Sequence, residues 1–241
     1  MADLVAASFA AGFIAAAGNI INDYYDFEID KINRPDRPLV SGEISKRTAI
    51  KYYITLNGLG FFFAGYVSLS VLAIVLITAS LLFIYSSKLK RIPFAGNLLV
   101  AFLTGFVFIY AGIAAGDAAG GVIPFFFAFI INLVRELIKD IEDYEGDSVY
   151  KIKTMPIVKG IPFTKKIVST LILLLIISSP LPYFFFNYNF EFLLLILFLI
   201  DLPLVNIFIR LKSDSLDYRR LSSQLKTLMI LGLGILIVGV L

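Results

Sequence analysis

The chain has 241 residues, of which 59% are hydrophobic and 16% are charged, and its formal net charge is +3. This balance excludes an ordinary soluble domain and indicates an integral membrane protein. The chain contains neither Cys nor His, which excludes disulfides, thiolate chemistry and the common zinc and haem sites built on those side chains. The basic charge lies in loops, so it does not indicate a nucleic-acid partner.

Apolar runs long enough to cross a bilayer, about 20 residues each, predict membrane-spanning helices. In chain order they lie at 4–21, 50–66, 70–86, 98–115, 122–138, 167–185, 192–209 and 225–241. Such long, uninterrupted runs do not fit the alternating strands of a membrane barrel. Where Pro124, Pro180, Pro182 and Pro203 fall inside or beside these runs, we expect local kinks. The predicted fold class is all-α, a polytopic transmembrane helix bundle of about eight helices, forming a single domain over residues 1–241.

The distribution of basic residues predicts the topology. All 21 Lys and Arg lie in or beside the connections 31–51, 88–91, 135–166 and 210–226. These connections alternate with connections that carry no Lys or Arg, so they open on the same side of the membrane. By the positive-inside rule that side is the cytoplasm.

Two acidic clusters lie on this predicted cytoplasmic face. Asn22, Asp26 and Asp30 stand four residues apart, so they share one face of a helix where the first span leaves the membrane. In the second cluster, Asp143 and Asp147 have the same spacing and follow the fifth span. Like charges this close repel one another unless a bound cation neutralises them. Carboxylate and amide oxygens suit Mg²⁺, which usually completes its coordination shell with phosphate oxygens, so the clusters predict a diphosphate substrate.

Basic residues accompany both clusters. Taken singly, each is most simply an anchor on the positive face of the membrane. Arg135 differs because it lies about one turn inside the membrane boundary, where an ionisable group should face the protein interior. For Asp201, in the seventh span, we favour a protonated or hydrogen-bonded carboxyl at a kink over a role in substrate binding. The basic residues near the clusters are Arg34, Arg37, Lys88, Lys90, Arg91, Arg135, Lys139, Lys151 and Lys153.

The motifs together resemble the UbiA superfamily of intramembrane prenyltransferases. The resemblance rests on Asn22-Asp23-x-x-Asp26-x-x-x-Asp30, the following segment 33–39, Asp143-x-x-x-Asp147 and Lys153-Thr154. It extends to Tyr85-Ser86, Lys90-Arg91 and Gly96-Asn97, and so covers nearly the whole chain in order. Family members usually have nine helices, and the first span of this chain matches their second, so the family's first helix is expected to be missing here.

The resemblance implies a helical bundle around a central cavity, in which Mg²⁺ held by both acidic motifs binds a prenyl diphosphate. The implied metal ligands are Asn22, Asp26, Asp30, Asp143 and Asp147. Tyr85, Lys90 and Arg135 would contact the diphosphate or stabilise it as it leaves. The remaining residues expected to bind substrate are Asn22, Arg34, Arg37, Lys88 and Lys153.

The expected chemistry is transfer of a prenyl group to a lipid acceptor. Metal and basic side chains stabilise the charge on the departing diphosphate, while a dry cavity protects the electrophilic allylic carbon from water. Asp26 and Asp30 are expected to be essential. Without His or Cys, the acceptor's proton passes to a carboxylate or to the diphosphate, and Asp140 and Asp30 are the candidate bases.

The sequence motifs identify the prenyl acceptor less specifically than they identify the transfer reaction. The segment 135–147 looks most like the branch that transfers geranylgeranyl to geranylgeranylglyceryl phosphate, for which Lys46, Arg47 or Lys153 would supply a phosphate contact. Aromatic acceptors, such as quinone precursors or those of the haem and chlorophyll branches, are the alternative. A membrane transporter is the alternative of another class, although transporters bind near the bilayer midplane. The protein is expected to lie in the cell membrane, with its active-site loops facing the cytoplasm.

Overall fold

A computed structural model describes residues 2–150, 152–213 and 216–241. Lys151, one of the basic residues named above, lies outside the described residues. The described chain is helical and contains no β-strand, which confirms the all-α prediction. Its backbone contacts divide into two compact units, which are described separately. Unit 1 comprises Met1–Leu99, Phe106–Val122 and Glu145–Thr154, and unit 2 comprises Val100–Gly105, Ile123–Tyr144 and Met155–Leu241.

The helices follow the predicted spans closely. Within unit 1 lie α1 (Ala2–Tyr25), α2 (Phe27–Asn33), α3 (Pro38–Ser41), α4 (Lys46–Val67), α5 (Leu69–Ser87), most of α6 (Ala95–Ala115) and α8 (Tyr144–Val149). Unit 2 holds most of α7 (Val122–Glu142), with α9 (Met155–Lys159), α10 (Ile161–Ser178), α11 (Leu181–Phe185), α12 (Phe190–Leu195), α13 (Leu202–Arg210) and α14 (Tyr218–Val238).

Seven segments of the described chain are long and apolar enough to cross a membrane. They coincide with seven of the eight predicted spans. The predicted span 50–66 also forms a helix, α4, but it is not among the seven. Its polar and small residues, among them Lys51, Thr55 and Asn57, dilute its hydropathy. The protein is an integral membrane protein.

Small residues bring α1 close to α4 and α5 in unit 1. Ala7, Ala10 and Ile14 form one buried face of α1 and pack in a core with Ala64 and Val71. Small side chains at helix interfaces permit this approach within a membrane, where packing rather than expulsion of water holds helices together.

Glycine permits a close approach at one of these contacts. A Cβ on Gly60 of α4 would lie 2.8 Å from Cδ1 of Ile14 and 3.4 Å from the backbone oxygen of Ala10. A hydrogen bond also links α6 to α1: the Tyr110 hydroxyl donates to the backbone oxygen of Ala7 at 3.0 Å. This packing fixes α1, the helix that carries the first acidic motif.

Regular helix is interrupted in unit 2 near Pro180 and Pro203, as predicted, whereas α7 continues unbroken from Val122 to Glu142 with Pro124 in its first turn. Pro180 lies between α10 and α11, and a π-helical turn, Ile196–Asp201, joins α12 to α13 just before Pro203. Because proline has no N–H, the helix around Pro203 cannot keep a regular ladder, and a π-helical turn is one way to accommodate it.

Asp201 ends this π-helical turn as a buried residue. The Ser179 hydroxyl donates to Oδ2 of Asp201 at 2.7 Å. The other carboxylate oxygen, Oδ1, is buried and has no hydrogen-bond partner in the described chain. The expectation of a hydrogen-bonded carboxyl at a kink is therefore confirmed for one of its two oxygens.

Candidate active site in unit 1

The first acidic motif lies on a nearly continuous helix. Backbone N–H groups of Asp26, Asp30 and Arg34 donate to the carbonyls four residues earlier, at 2.9, 2.8 and 2.8 Å. Asp26 is the single residue between α1 and α2. The one-face arrangement predicted from the spacing of Asn22, Asp26 and Asp30 is therefore confirmed in the backbone, one turn apart.

Lys90 and Asn22 both bind Asp26. The Asp26 side chain is 5% exposed, and its Oδ2 atom accepts a hydrogen bond from Nδ2 of Asn22 at 2.8 Å and forms an ion pair with Nζ of Lys90. Burial alone would lower the pKa of Lys90, but the Asp26 carboxylate, with smaller contributions from Tyr85 and Asp147, raises it above its usual value. Lys90 is therefore held as a cation against the motif.

Arg37 bridges two further carboxylates. Its Nη1 atom lies 2.5 Å from Oδ1 of Asp23 and 2.6 Å from Oδ2 of Asp30. Burial raises the pKa of Asp30 to about 6, and the Arg37 guanidinium partly opposes that rise. Asp23 was not among the predicted site residues. Its position seven residues, or about two turns, before Asp30 on the same helix face was a signal in the sequence that pointed to it.

Two close approaches hold the chain segments around these ion pairs. A Cβ on Gly96 would lie 3.2 Å from the Lys90 Cα and 3.2 Å from the Tyr85 ring, so glycine lets α6 begin directly against the Lys90 segment. In α8, a Cβ on Gly146 would overlap the side-chain amide of Asn33. Gly146 therefore seats α8 against the end of α2.

Asp147 of the second motif belongs to the same unit. It is a buried residue of α8, 5% exposed, and its charge acts on Lys90. Unit 1 thus brings together Asp26, Asp30 and Asp147 with the basic groups Lys90 and Arg37. These residues come from segments more than a hundred positions apart in the sequence.

Other predicted residues of unit 1 have more open positions. Arg34 is half-buried, whereas Lys88 and Lys153 are exposed. Tyr85 is half-buried and contributes to the electrostatic environment of Lys90. Their predicted contacts with a diphosphate stay predictions.

Unit 2 contains the remaining predicted residues. Arg135 donates from Nη1 to Oε1 of Glu136 at 3.3 Å, and its Nε is buried without a partner in the described chain. Lys139 also binds the buried Glu136. Asp140 and Asp143 are half-buried. Asp143 is the single residue between α7 and α8, as Asp26 is between α1 and α2.

The residues in unit 1 fit Mg²⁺, although they do not form a closed cage. Among the described residues, no three Asp or Glu side chains converge closely enough to hold a metal by themselves. Asn22 Oδ1, however, is buried and has no hydrogen-bond partner in the described chain, and it adjoins the Asp26 carboxylate through the same side-chain amide. Mg²⁺ commonly uses one or two carboxylates together with substrate phosphates. An open set of amide and carboxylate oxygens suits that mode.

Comparison with known proteins gives one consistent answer. Residues 2–231 match the model of the UbiA prenyltransferase family. The chain is 47% identical over 150 residues to a digeranylgeranylglyceryl phosphate synthase from Thermococcus sibiricus, an alignment that covers 62% of this chain and 54% of that protein. The matched region thus spans about half the length of that relative.

Solved structures share the fold. One, described as giving insights into digeranylgeranylglyceryl phosphate synthase in membranes, has a TM-score of 0.77 and 34% identity, covering 98% of this chain and 84% of that one. A UbiA homologue from Archaeoglobus fulgidus, solved with GPP and Mg²⁺, has a TM-score of 0.67 and 20% identity over 98% of this chain and 88% of that one. At that identity the second structure supports the fold alone. The match over residues 2–231 extends through nearly the whole chain, which therefore belongs to the UbiA prenyltransferase family.

Proposed function

We propose that the protein transfers a geranylgeranyl group from geranylgeranyl diphosphate to geranylgeranylglyceryl phosphate, in a Mg²⁺-dependent step of ether-lipid synthesis. The observation that carries this proposal is the pairing of motif aspartates with Lys90 and Arg37 in unit 1. Membership of the family supports the reaction class. The resemblance to digeranylgeranylglyceryl phosphate synthases supports the choice of acceptor.

Lys90 and Arg37 are the groups best placed to bind a diphosphate. In the free protein their charges are neutralised by Asp26, Asp23 and Asp30. A diphosphate gives these cations further anionic partners, and their attraction grows as negative charge accumulates on the leaving group. Interactions that strengthen on the way to the transition state accelerate the reaction.

A metal ion would complete this arrangement. The residues of unit 1 that would hold Mg²⁺ are Asn22, Asp26, Asp30 and Asp147. Asp143 of unit 2 is proposed as a further ligand on the family resemblance alone. When bound, Mg²⁺ supplies Lewis-acid stabilisation of charge on the diphosphate oxygens. The unpartnered Oδ1 atom of Asn22 supports a ligand at this position, because a buried acceptor without a partner is costly.

The bonds and charges of the proposed transfer balance without a redox partner. The bond between the allylic carbon and the diphosphate oxygen breaks, and the electron pair leaves with the diphosphate. The acceptor's hydroxyl oxygen bonds to that carbon, and its proton passes to a carboxylate or to the diphosphate. Asp30 and Asp140 are the proposed carboxylate bases. Tyr85, Arg34, Lys88, Arg135 and Lys153 are proposed as further substrate contacts.

The decisive assay measures diphosphate release and the mass of the lipid product. Purified protein receives Mg²⁺, geranylgeranyl diphosphate and geranylgeranylglyceryl phosphate, beside the variant Asp26→Ala/Asp143→Ala. Glu28→Gln is the matched control, because Glu28 is an exposed carboxylate on α2 that pairs only with Lys31 among the contacts described for it. We expect a product with two geranylgeranyl groups from the parent protein and the control, and none from the double variant or without Mg²⁺.

Other outcomes separate the parts of the proposal. Diphosphate release with an aromatic acceptor, but not with the glyceryl phosphate lipid, would retain the prenyltransferase and overturn the acceptor. Full turnover by the double variant would overturn the assignment of the aspartates. We further propose that the protein works in the cell membrane with its active-site loops in the cytoplasm, as its Lys and Arg distribution predicts.

A further inference from the structure

Unit 2 contains a cavity that the proposed reaction does not use. Its volume is about 350 Å³, and it lies between α13 and α14. It is lined by three apolar residues, Pro203, Ile207 and Leu228, and by three polar ones, Asn206, Gln224 and Thr227. Two amides and a hydroxyl thus face one groove in two otherwise apolar helices, both of which are long and apolar enough to form part of membrane spans.

One amide of this groove, that of Asn206, has no hydrogen-bond partner among the described residues. Asn206 is exposed, and the structure gives its side chain no hydrogen bond to any residue in 2–150, 152–213 or 216–241. Thr227 is also exposed and donates only to the backbone oxygen of Ser223, at 3.3 Å. Hydrocarbon cannot satisfy an amide, and leaving one unpaired in an apolar medium is costly. The groove therefore suits a molecule that brings hydrogen-bonding oxygens into the membrane.

Arg210 places a positive charge one turn beyond Asn206. It is half-buried, and its Nη1 atom donates to Oε1 of Gln224 at 3.4 Å. The described residues offer Arg210 no carboxylate within ion-pair distance. A guanidinium has five N–H donors in a planar fork that matches a phosphate, so most of its donor capacity is available for an anion.

The surrounding sequence strengthens this charge. Residues 210–226 contain five basic residues and two acidic ones. Arg219 forms an ion pair with Glu142, with Nε 3.5 Å from Oε1. Arg210 instead contacts Gln224, a residue that lines the groove. These basic residues lie at the ends of two spans, at the depth where the phosphates of a bilayer lie.

We propose that this groove binds an anionic glycerophospholipid of the bilayer. Its phosphate pairs with Arg210, its glycerol oxygens accept from the amides of Asn206 and Gln224, and the start of one chain lies along Pro203, Ile207 and Leu228. The volume suits the head region and the first part of a chain, with the rest of the lipid in the bilayer. Binding is independent of prenyl transfer and does not rest on the function proposed above.

The test measures which lipid stays with the purified protein. Protein is reconstituted in vesicles of equal parts phosphatidylglycerol and phosphatidylcholine, extracted, and analysed by native mass spectrometry. We expect the parent protein to retain phosphatidylglycerol preferentially, and Arg210→Gln to reduce that preference by about tenfold, the effect of losing one charge-assisted contact. Arg220→Gln is the matched control, since Arg220 is an exposed residue of the same basic segment.

The remaining variants separate the amides that line the groove from the charge of Arg210 beside it. Asn206→Leu/Gln224→Leu is expected to reduce retention of both lipids, whereas Arg210→Lys is expected to keep part of the preference. Circular dichroism of every variant must match that of the parent protein. Equal retention of both lipids by the parent protein, or an equal loss in Arg220→Gln, overturns the proposal. So does efficient crosslinking between chains through Thr227→Cys, which would place a second copy in the groove.

Discussion

Two buried carboxylate sites in this protein are stabilised in opposite ways. In unit 1, Asp26 and Asp30 are each paired with a cation, Lys90 and Arg37. In unit 2, Asp201 is as buried as they are, but its partner is the Ser179 hydroxyl. The first arrangement holds positive charge that a diphosphate can share, while no cation among the described residues pairs with Asp201. Burial of an aspartate therefore does not by itself identify the reactive site in this chain.

The location of each site explains the difference. Asp26 lies where α1 ends, and Lys90 follows the end of α5, so both are close to the ends of spans where charged groups are tolerated. Asp201 lies within the segment Phe190–Arg210, which is apolar enough to be a span. An ion pair is costly to bury far from water, and a hydroxyl is a cheaper partner there.

The largest expected effect is that of Lys90→Met. It removes the cation paired with Asp26 and a donor for the leaving diphosphate, so we expect diphosphate release to fall by about 100-fold or more, as when one transition-state donor is lost. The measurement is the kcat for diphosphate release. Arg91→Met, an exposed neighbour, is the control and should stay within about twofold of the parent protein. Equal losses in both variants would place the effect in the segment's fold.

Arg37→Gln is expected to have the next largest effect. One guanidinium is shared by Asp23 and Asp30, so its loss leaves two neighbouring carboxylates without their shared cation. We expect the KM for geranylgeranyl diphosphate to rise by about tenfold, the loss of one charge-assisted contact. Adding Asp23→Asn should recover part of that loss, since it removes one of the orphaned charges. Strictly additive losses would contradict the bridging role of Arg37.

The sequence predicted the membrane spans and the spacing of the first acidic motif, but not the ion pairs between side chains of this site. Spans follow from long apolar runs, and the four-residue spacing of the first motif follows from helix geometry, so both were readable locally. The pairing of Lys90 with Asp26 joins residues 64 positions apart. It depends on how α1, α5 and the start of α6 pack, which no local pattern specifies.

Two features that the sequence did not predict, the role of Asp23 and the π-helical turn before Pro203, have local physical causes. The spacing of four predicts a site at Asn22, Asp26 and Asp30 but does not include Asp23, which lies seven residues before Asp30 and shares the Arg37 guanidinium with it. The π-helical turn before Pro203 was predicted only as a kink, since a missing N–H is readable from sequence but its relief by a wider turn is not.

A smaller effect, on stability alone, is expected for Ser179→Ala. It leaves the buried Asp201 carboxyl without its only side-chain partner in the described chain, which should cost about 1–3 kcal/mol of stability. The measurement is the Tm in one detergent, with diphosphate release unchanged. Ser178→Ala is the matched control, because the neighbouring hydroxyl is also buried but bonds only to the backbone oxygen of Leu175. A similar fall in Tm for both variants would show that Ser179 acts by packing alone.

The smallest effect is expected for Asp201→Asn, and it tests the comparison most directly. An amide keeps an oxygen that can accept from Ser179 and has the same size, so the Tm should change by an amount equivalent to about 1 kcal/mol or less. The same substitution at Asp26 removes the charge that faces Lys90 and should abolish most turnover. If Asp201→Asn also abolished diphosphate release while the protein stayed folded, the charge of Asp201 would be needed for activity. The two carboxylates would then serve the reaction together, although only one has a cation beside it.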